Sequence, residues 1–359
     1  MSFGQESATR LCRAEGLHRL DGLGPRWVDE RGQPVEVEDT LVRLEALRIP
    51  PAWREVWASP DPAAPVQATG VDARGRTQYR YSVHAEAEAS EHKFANLLLF
   101  GHALPRLRAQ VHDHLSGLTG DSLEHRVKRT TAAAVRLIDR GFFRVGSERY
   151  ALENHTYGLT TLTSRHVRIV GAEIEFSFVG KEHRPWHLTI HDDAVAQILS
   201  SLIDEAQDPD AALFSVAADG SHHSVGSSAV NSYIHAATAA PATAKTVRTW
   251  GGTAAAAIMI GGAESPVELR TRRSDLIAYD VAAYLLGNTR AVARRSYVHP
   301  MALEAGRSSA VRSAIDRASS VTKSREIRVL LADDDVVAVV AQELNRLSDR
   351  RPQPEGPHR

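Results

Sequence analysis

The sequence predicts an α+β protein in which a small β-rich N-terminal domain (residues 1–86) precedes a larger, mainly α-helical domain (87–349) and a disordered tail (350–359). Three observations carry this. Short extended runs alternate with one short amphipathic helix as far as Tyr81; helical periodicity takes over from about Ala87; and one strong period-two signal interrupts the helices between His166 and Ile190. With 359 residues, 43% of them hydrophobic, the chain can bury a real core, and its length favours two domains.

Residues 1 to about 20 read as weakly structured. RWVDERGQPVEV reads as extended and DTLVRLEAL as a short helix, with a break at Pro50 and Pro51. In VQATGVDARGRTQYRYSV, Asp72 and Gly75 mark the turn of a hairpin. Its second strand alternates Gln78 and Arg80 on one face with Tyr79 and Tyr81 on the other, a pattern suited to a groove wall or to a solvated edge strand. A helix is expected over Glu91–His102, a second one entered at Pro105, and a long third over SLEHRVKRTTAAAVRLIDRGFF, closed by Gly141. In the third helix Val127, Ala134, Val135, Leu137 and Ile138 form the buried stripe, and Arg126, Lys128, Arg129 and Arg136 lie largely off it. Arg144 falls at the next turn, and Ser147 is positioned to cap another short helix. Ile174, Phe176 and Phe178 then alternate up to GKEHR, and Trp186, Leu188 and Ile190 return, which places Lys181 at a hairpin tip. Helical patterns fill most of the remainder, and RRPQPEGPHR is polar and proline-rich.

Composition narrows the function classes. The single cysteine, Cys12, excludes an internal disulfide and a multi-thiolate metal site. A net charge of −1 argues against a general nucleic-acid coat, but basic residues concentrate in 125–150 and 269–297, so one basic face remains. No GxxxxGK[ST] loop, dinucleotide fingerprint or serine-hydrolase elbow is present, and the histidines lack metal-ligand spacing. No cofactor or metal is expected. Without a signal-peptide core or a span-length apolar run, a cytoplasmic location and no membrane partner are expected.

GNTRAVARRSYVHP sets Tyr297 among Arg290, Arg294 and Arg295, with Asn288 nine residues before it. Taken with Arg144, Lys181 and Arg248 of KTVRTWGGT, the order Arg, Lys, Arg, hydrogen-bond donor, Tyr resembles the active site of type IB DNA topoisomerases of the small poxvirus-like bacterial class. FFRVGSERYALENHTYGLTTL, FVGK, VRTWGGT and LGNTRAVARRSYVHP look like that family's catalytic motifs, and IPPAW, QATGVDARGRTQYRY, HKF and ALPRLR like its N-terminal domain and junction. The resemblance implies a two-domain, C-shaped clamp around double-stranded DNA, acting as a monomer without an obligate protein partner and associated with the nucleoid. It makes Tyr297 the nucleophile, with Arg144, Lys181, Arg248 and Asn288 catalytic; Gln78, Tyr79, Arg80, Tyr81, Arg149 and Tyr150 become DNA contacts, and Glu182 and Lys245 supports of Lys181.

Chemistry accounts for each catalytic position. A phenol of pKa about 10 needs deprotonation or nearby cations to attack a phosphodiester at neutral pH. Guanidinium forks match the non-bridging oxygens as charge grows on them, and an ammonium is able to protonate the departing 5′-oxygen. Two departures stand out: Asn288 where some relatives carry histidine, and Thr77 where a lysine is expected. Tyrosine recombinases share this chemistry, but they usually carry histidine three residues before the second arginine, where this chain has Lys245. A non-catalytic DNA binder on the same scaffold would retain binding without a covalent adduct.

Overall fold

The structure, a computed structural model, describes residues 15–20, 26–118, 120–206, 208–263 and 272–350, apart from the side chains of Arg26 and Tyr150. Residues 351–359, most of the expected tail, lie outside them. The fold is mixed: a small N-terminal region rich in strands and a larger, mainly helical one, with two compact units over Met1–Lys93 and Phe94–Arg359.

The first unit is a five-stranded antiparallel sheet in the order β2-β1-β3-β4-β5, made of β1 (Leu17–Leu20), β2 (Arg26–Val28), β3 (Arg54–Ala58), β4 (Val66–Val71) and β5 (Thr77–Tyr81). Against expectation, Leu17–Leu20 is a strand: Leu17 joins Trp27, Leu44, Trp53, Val56, Ala58 and Ala68 in a local core, a pairing that four isolated residues do not advertise. Leu44 comes from helix α1 (Glu38–Ala46), whose Arg43 donates to the Gln67 side chain and the Ser59 carbonyl. The β4–β5 turn forms at the expected place, with Gly75 at φ +73 and the Asp72 carboxylate accepting from the Arg74 and Arg76 amides.

The second unit starts within α2 (Val83–Ser116), which contains Pro105. The expected break there does not occur. Leu97, Phe100, Leu104 and Leu107 are buried on one face, and Gly101, four residues before the proline, lies against the Trp250 ring where a Cβ would sit 2.4 Å from it. Packing on both sides of Pro105 outweighs the roughly 3 kcal/mol that a mid-helix proline costs. Helix α3 (Leu123–Gly141) follows, with the Ser122 side chain accepting from the His125 amide. Gly141 is its last residue rather than its cap: Phe142 takes the left-handed conformation at φ 56.

Beyond α4 (Glu148–Asn154), a three-stranded sheet runs β6 (Val167–Val170), β7 (Glu173–Gly180), β8 (Arg184–His191). Its register pairs Ile174 with Ile190, Phe176 with Leu188 and Phe178 with Trp186. The remaining helices are α5 (Asp193–Glu205), α6 (Ser227–Thr238), α7 (Ala244–Gly261), α8 (Arg272–Leu286), α9 (Arg290–Ser296), α10 (Ala302–Gly306), α11 (Ser309–Thr322), α12 (Ile327–Ala332) and α13 (Asp334–Asp349), with a small hairpin, β9 (Ser215–Ala218) and β10 (Ser221–Ser224), before α6. Helix α7 is central, buried without a break from Val247 to Ile258. Its run of Ala and Gly lets α8 and α10 approach closely: a Cβ on Gly261 would meet the Gly306 carbonyl at 3.1 Å.

Candidate active site

The β7–β8 hairpin shapes the site from beneath. On its inner face Phe143 packs edge-on to Phe176 (4.8 Å between ring centroids) and stacks on Phe178 (6.0 Å), which fixes the backbone that next carries Arg144. Trp186 lies against Gly287 so closely that a Cβ there would fall 2.1 Å from the indole, and Gly287 has φ +60. Only glycine meets both demands, and the next residue is Asn288. One apolar face therefore holds two turns that are far apart in sequence.

Arg248 is buried on α7, and its guanidinium donates to the carbonyls of Phe142 and Leu286 (2.9 Å to Leu286). Those carbonyls close α3 and α8, where helix ends leave acceptors unsatisfied and carry partial negative charge. The positive φ of Phe142, an expense of ~1–3 kcal/mol, directs its carbonyl to this use. Burial, then the Arg144 charge, pushes the Arg248 guanidinium down to about 10, while Tyr297 pulls the other way; it stays protonated at neutral pH. Its carbon lies 5.6 Å from the centre of the Tyr297 ring.

Arg144 donates to the Asn288 Oδ1 (2.7 Å) and the Gly287 carbonyl (3.3 Å). Burial lowers its proton affinity, and the Tyr297 and Glu182 side chains partly restore it. Because Oδ1 is engaged, Asn288 turns Nδ2 away as a donor, and that nitrogen is buried without a partner among the described residues. Tyr297 itself caps α9, half-buried, with its backbone carbonyl accepting from the Thr253 hydroxyl (3.2 Å).

The structure thus brings Arg144, Arg248, Asn288 and Tyr297 together. Lys181 is exposed in the turn between β7 and β8 and has no hydrogen bond among the described residues. Its turn carries two consecutive left-handed residues, Glu182 (φ 64) and His183 (φ 55). Glu182 pairs with Arg184 at 3.7 Å, and Lys245 is exposed on α7. Of the other arginines near the phenol in sequence, Arg290 pairs with Asp280 and Arg294 lies over the Tyr279 ring. Arg273 and Arg295 are exposed.

The expected DNA contacts separate into two kinds. Tyr79 and Tyr81 stack on one face of β5 (6.0 Å, 16° between planes). On the other face Gln78 donates to Asp72, and Arg80 donates to the Leu47 and Arg48 carbonyls over the Trp53 ring, so its guanidinium holds the unit together. Arg149 is exposed and pairs with Glu153 at 2.9 Å, while the Tyr150 side chain lies outside the described residues.

Sequence reading missed the role of Gly251 and Gly252. A Cβ on Gly251 would fall 2.1 Å from the Phe142 ring, and one on Gly252 would fall 2.9 Å from the Tyr297 carbonyl oxygen. The adjacent glycines were legible as a pair, but not as the place where α7 meets the nucleophile's backbone. Gly252→Ala is expected to destabilise the fold by about 1–3 kcal/mol, as overpacking does. It should also lower the reactivity of the Tyr297 phenol more than the loss of folded protein accounts for; equal losses in both would mean that the glycine serves folding alone.

A phenol beside a buried guanidinium, with a second guanidinium and an amide donor held by one hairpin, has the equipment of an enzyme that transfers a phosphoryl group to a tyrosine. Residues 82–320 match the family model for the catalytic core of eukaryotic DNA topoisomerase I, and residues 24–72 match that for the N-terminal domain of bacterial DNA topoisomerase IB. The chain is 30% identical over 301 residues to DNA topoisomerase 1B of Acanthamoeba polyphaga mimivirus, covering 81% of this chain and 87% of that relative. It is 27% identical over 124 residues to DNA topoisomerase 1B of vaccinia virus, covering 34% and 37%. The chain belongs to the type IB DNA topoisomerase family and is a DNA topoisomerase, an isomerase acting on DNA. Among the described residues, no helix is long and apolar enough to cross a membrane.

Proposed function

We propose that this enzyme relaxes positive and negative supercoils by cutting one strand of duplex DNA through Tyr297, which forms a 3′-phosphotyrosyl bond and releases a 5′-hydroxyl. The observation that carries the reading is the meeting of Arg144 and Arg248 at the Tyr297 side chain, with Asn288 held to Arg144 at 2.7 Å. As phosphorus becomes five-coordinate, the two guanidiniums and the amide stabilise its non-bridging oxygens. Lys181, at the tip of a two-stranded arm, protonates the 5′-oxygen once DNA occupies the site. The phosphotyrosyl linkage retains the energy of the broken bond, so religation needs neither ATP nor metal. Both units engage the duplex in a clamp, with the stacked Tyr79–Tyr81 pair, Gln78 and Arg80 contributing from the first and Arg149 and Tyr150 from the second. The enzyme acts as a cytoplasmic, nucleoid-associated monomer.

The test is relaxation of positively and of negatively supercoiled plasmid, in EDTA and without ATP. Removal of both signs to completion is expected. Failure of a folded, DNA-binding protein to relax either sign would overturn the proposal, as would a strict need for a second duplex, which marks a recombinase.

A further inference from the structure

Arg126, Arg129, Arg136 and Arg140 occupy one face of α3, because spacings of three, seven and four residues return to the same side of a helix. Helix α5 runs antiparallel along this face and supplies an acid at each end. Arg126 donates to Glu205 and to the Ala217 carbonyl, and Arg136 lies 3.8 Å from Asp192. Midway along, no acid of α5 answers Arg129, which has neither hydrogen bond nor ion pair among the described residues.

A cavity of about 240 Å³ opens there, lined by Arg126, Arg129, Thr130, Gln197, Ser201 and Glu205, with the exposed Asp121 also on its wall. Thr130 is 2% exposed and its hydroxyl has no partner among the described residues, and the exposed Gln197 sets its amide on the same wall. Arg126 and Glu205 cancel each other, so the cavity offers an unanswered guanidinium, an amide and a hydroxyl. A half-buried guanidinium without a counter-ion favours an anionic guest. That donor set suits an oxyanion, and an open pocket of about 240 Å³ suits a small molecule rather than a nucleic-acid backbone.

We propose that this cavity binds one phosphate or carboxylate group, held by the Arg129 guanidinium with the Thr130 hydroxyl and the Gln197 amide. Occupation stabilises the α3–α5 pair and leaves the chemistry at Tyr297 unchanged.

Thermal unfolding of the full chain, followed in inorganic phosphate or acetate against sodium chloride of equal ionic strength, tests this. Saturable stabilisation is expected, and Arg129→Gln should raise the half-saturating concentration about tenfold, as the loss of a charged hydrogen bond does. Arg144→Ala should keep the effect, and Arg129→Gln should relax plasmid at the wild-type rate within about twofold, the span of an ordinary surface substitution. Acetate matching phosphate identifies a carboxylate guest, and phosphate alone a phosphate one. Absence of saturable stabilisation in the wild type, its retention in Arg129→Gln, or its loss in Arg144→Ala overturns the proposal. Should Arg129→Gln not fold, Gln197→Leu gives the same comparison.

Discussion

Replacing Tyr297 by phenylalanine is expected to abolish relaxation and covalent capture of DNA while leaving DNA affinity and stability almost unchanged. The substitution removes one oxygen. The ring remains half-buried against α7, its backbone keeps the Thr253 hydrogen bond, and the Arg248 guanidinium still meets an aromatic face at 5.6 Å. Stability should therefore shift by no more than about 0.5 kcal/mol. The rate should fall by roughly 10⁶, the order lost when a covalent nucleophile is deleted, because without the phenol oxygen nothing attacks the phosphodiester and the phosphorane that the arginines stabilise never forms. Denaturing gels with end-labelled duplex read this directly. An adduct that persists in the variant would move the nucleophile elsewhere, and the exposed Tyr284 of α8 would be the next phenol to test.

How much of this was legible in the sequence depended on the range of the forces involved. The Asp72–Gly75 turn and the alternation of Ile174, Phe176 and Phe178 are local, and each formed where the pattern placed it. The faces of β5 were also legible, with Tyr79 and Tyr81 together and Gln78 and Arg80 opposite. What Arg80 does on its face was not, because its acceptors, the Leu47 and Arg48 carbonyls, lie more than thirty residues away. Pro105 misled for the same reason: its local rule is real, but Gly101 against Trp250 is a contact across nearly 150 residues. In the site, the motif order identified Arg144, Arg248, Asn288 and Tyr297 without explaining why they meet. The explanation lies in Gly251, Gly252 and Gly287, whose missing side chains admit Phe142, the Tyr297 backbone and Trp186. A glycine marks an absence, and its reason belongs to whatever fills the space.

Lys181→Ala is expected to slow strand cleavage by about 10²–10⁴, the range of general acid catalysis, and to do so only when the leaving group needs a proton. Of the five proposed catalytic side chains, Lys181 is the exposed one and has no partner among the described residues, at a tip whose next two residues adopt left-handed backbone at about 1–2 kcal/mol each. The arm is nevertheless well anchored: Phe178 and Trp186 pair across it and pack on Phe143, so the tip has a fixed base from which to reach bound DNA. A substrate with sulfur in place of the 5′-bridging oxygen departs as a thiolate, whose conjugate acid has a pKa of about 8.5, and no longer depends on the lysine. The variant should therefore cleave the sulfur substrate at nearly the wild-type rate while remaining slow on the oxygen one. Arg144→Ala, which loses stabilisation of the non-bridging oxygens, should stay slow on both. If Lys181→Ala is equally impaired with sulfur and oxygen leaving groups, the lysine acts through charge on the phosphate rather than as the acid, and the proton must come from another donor.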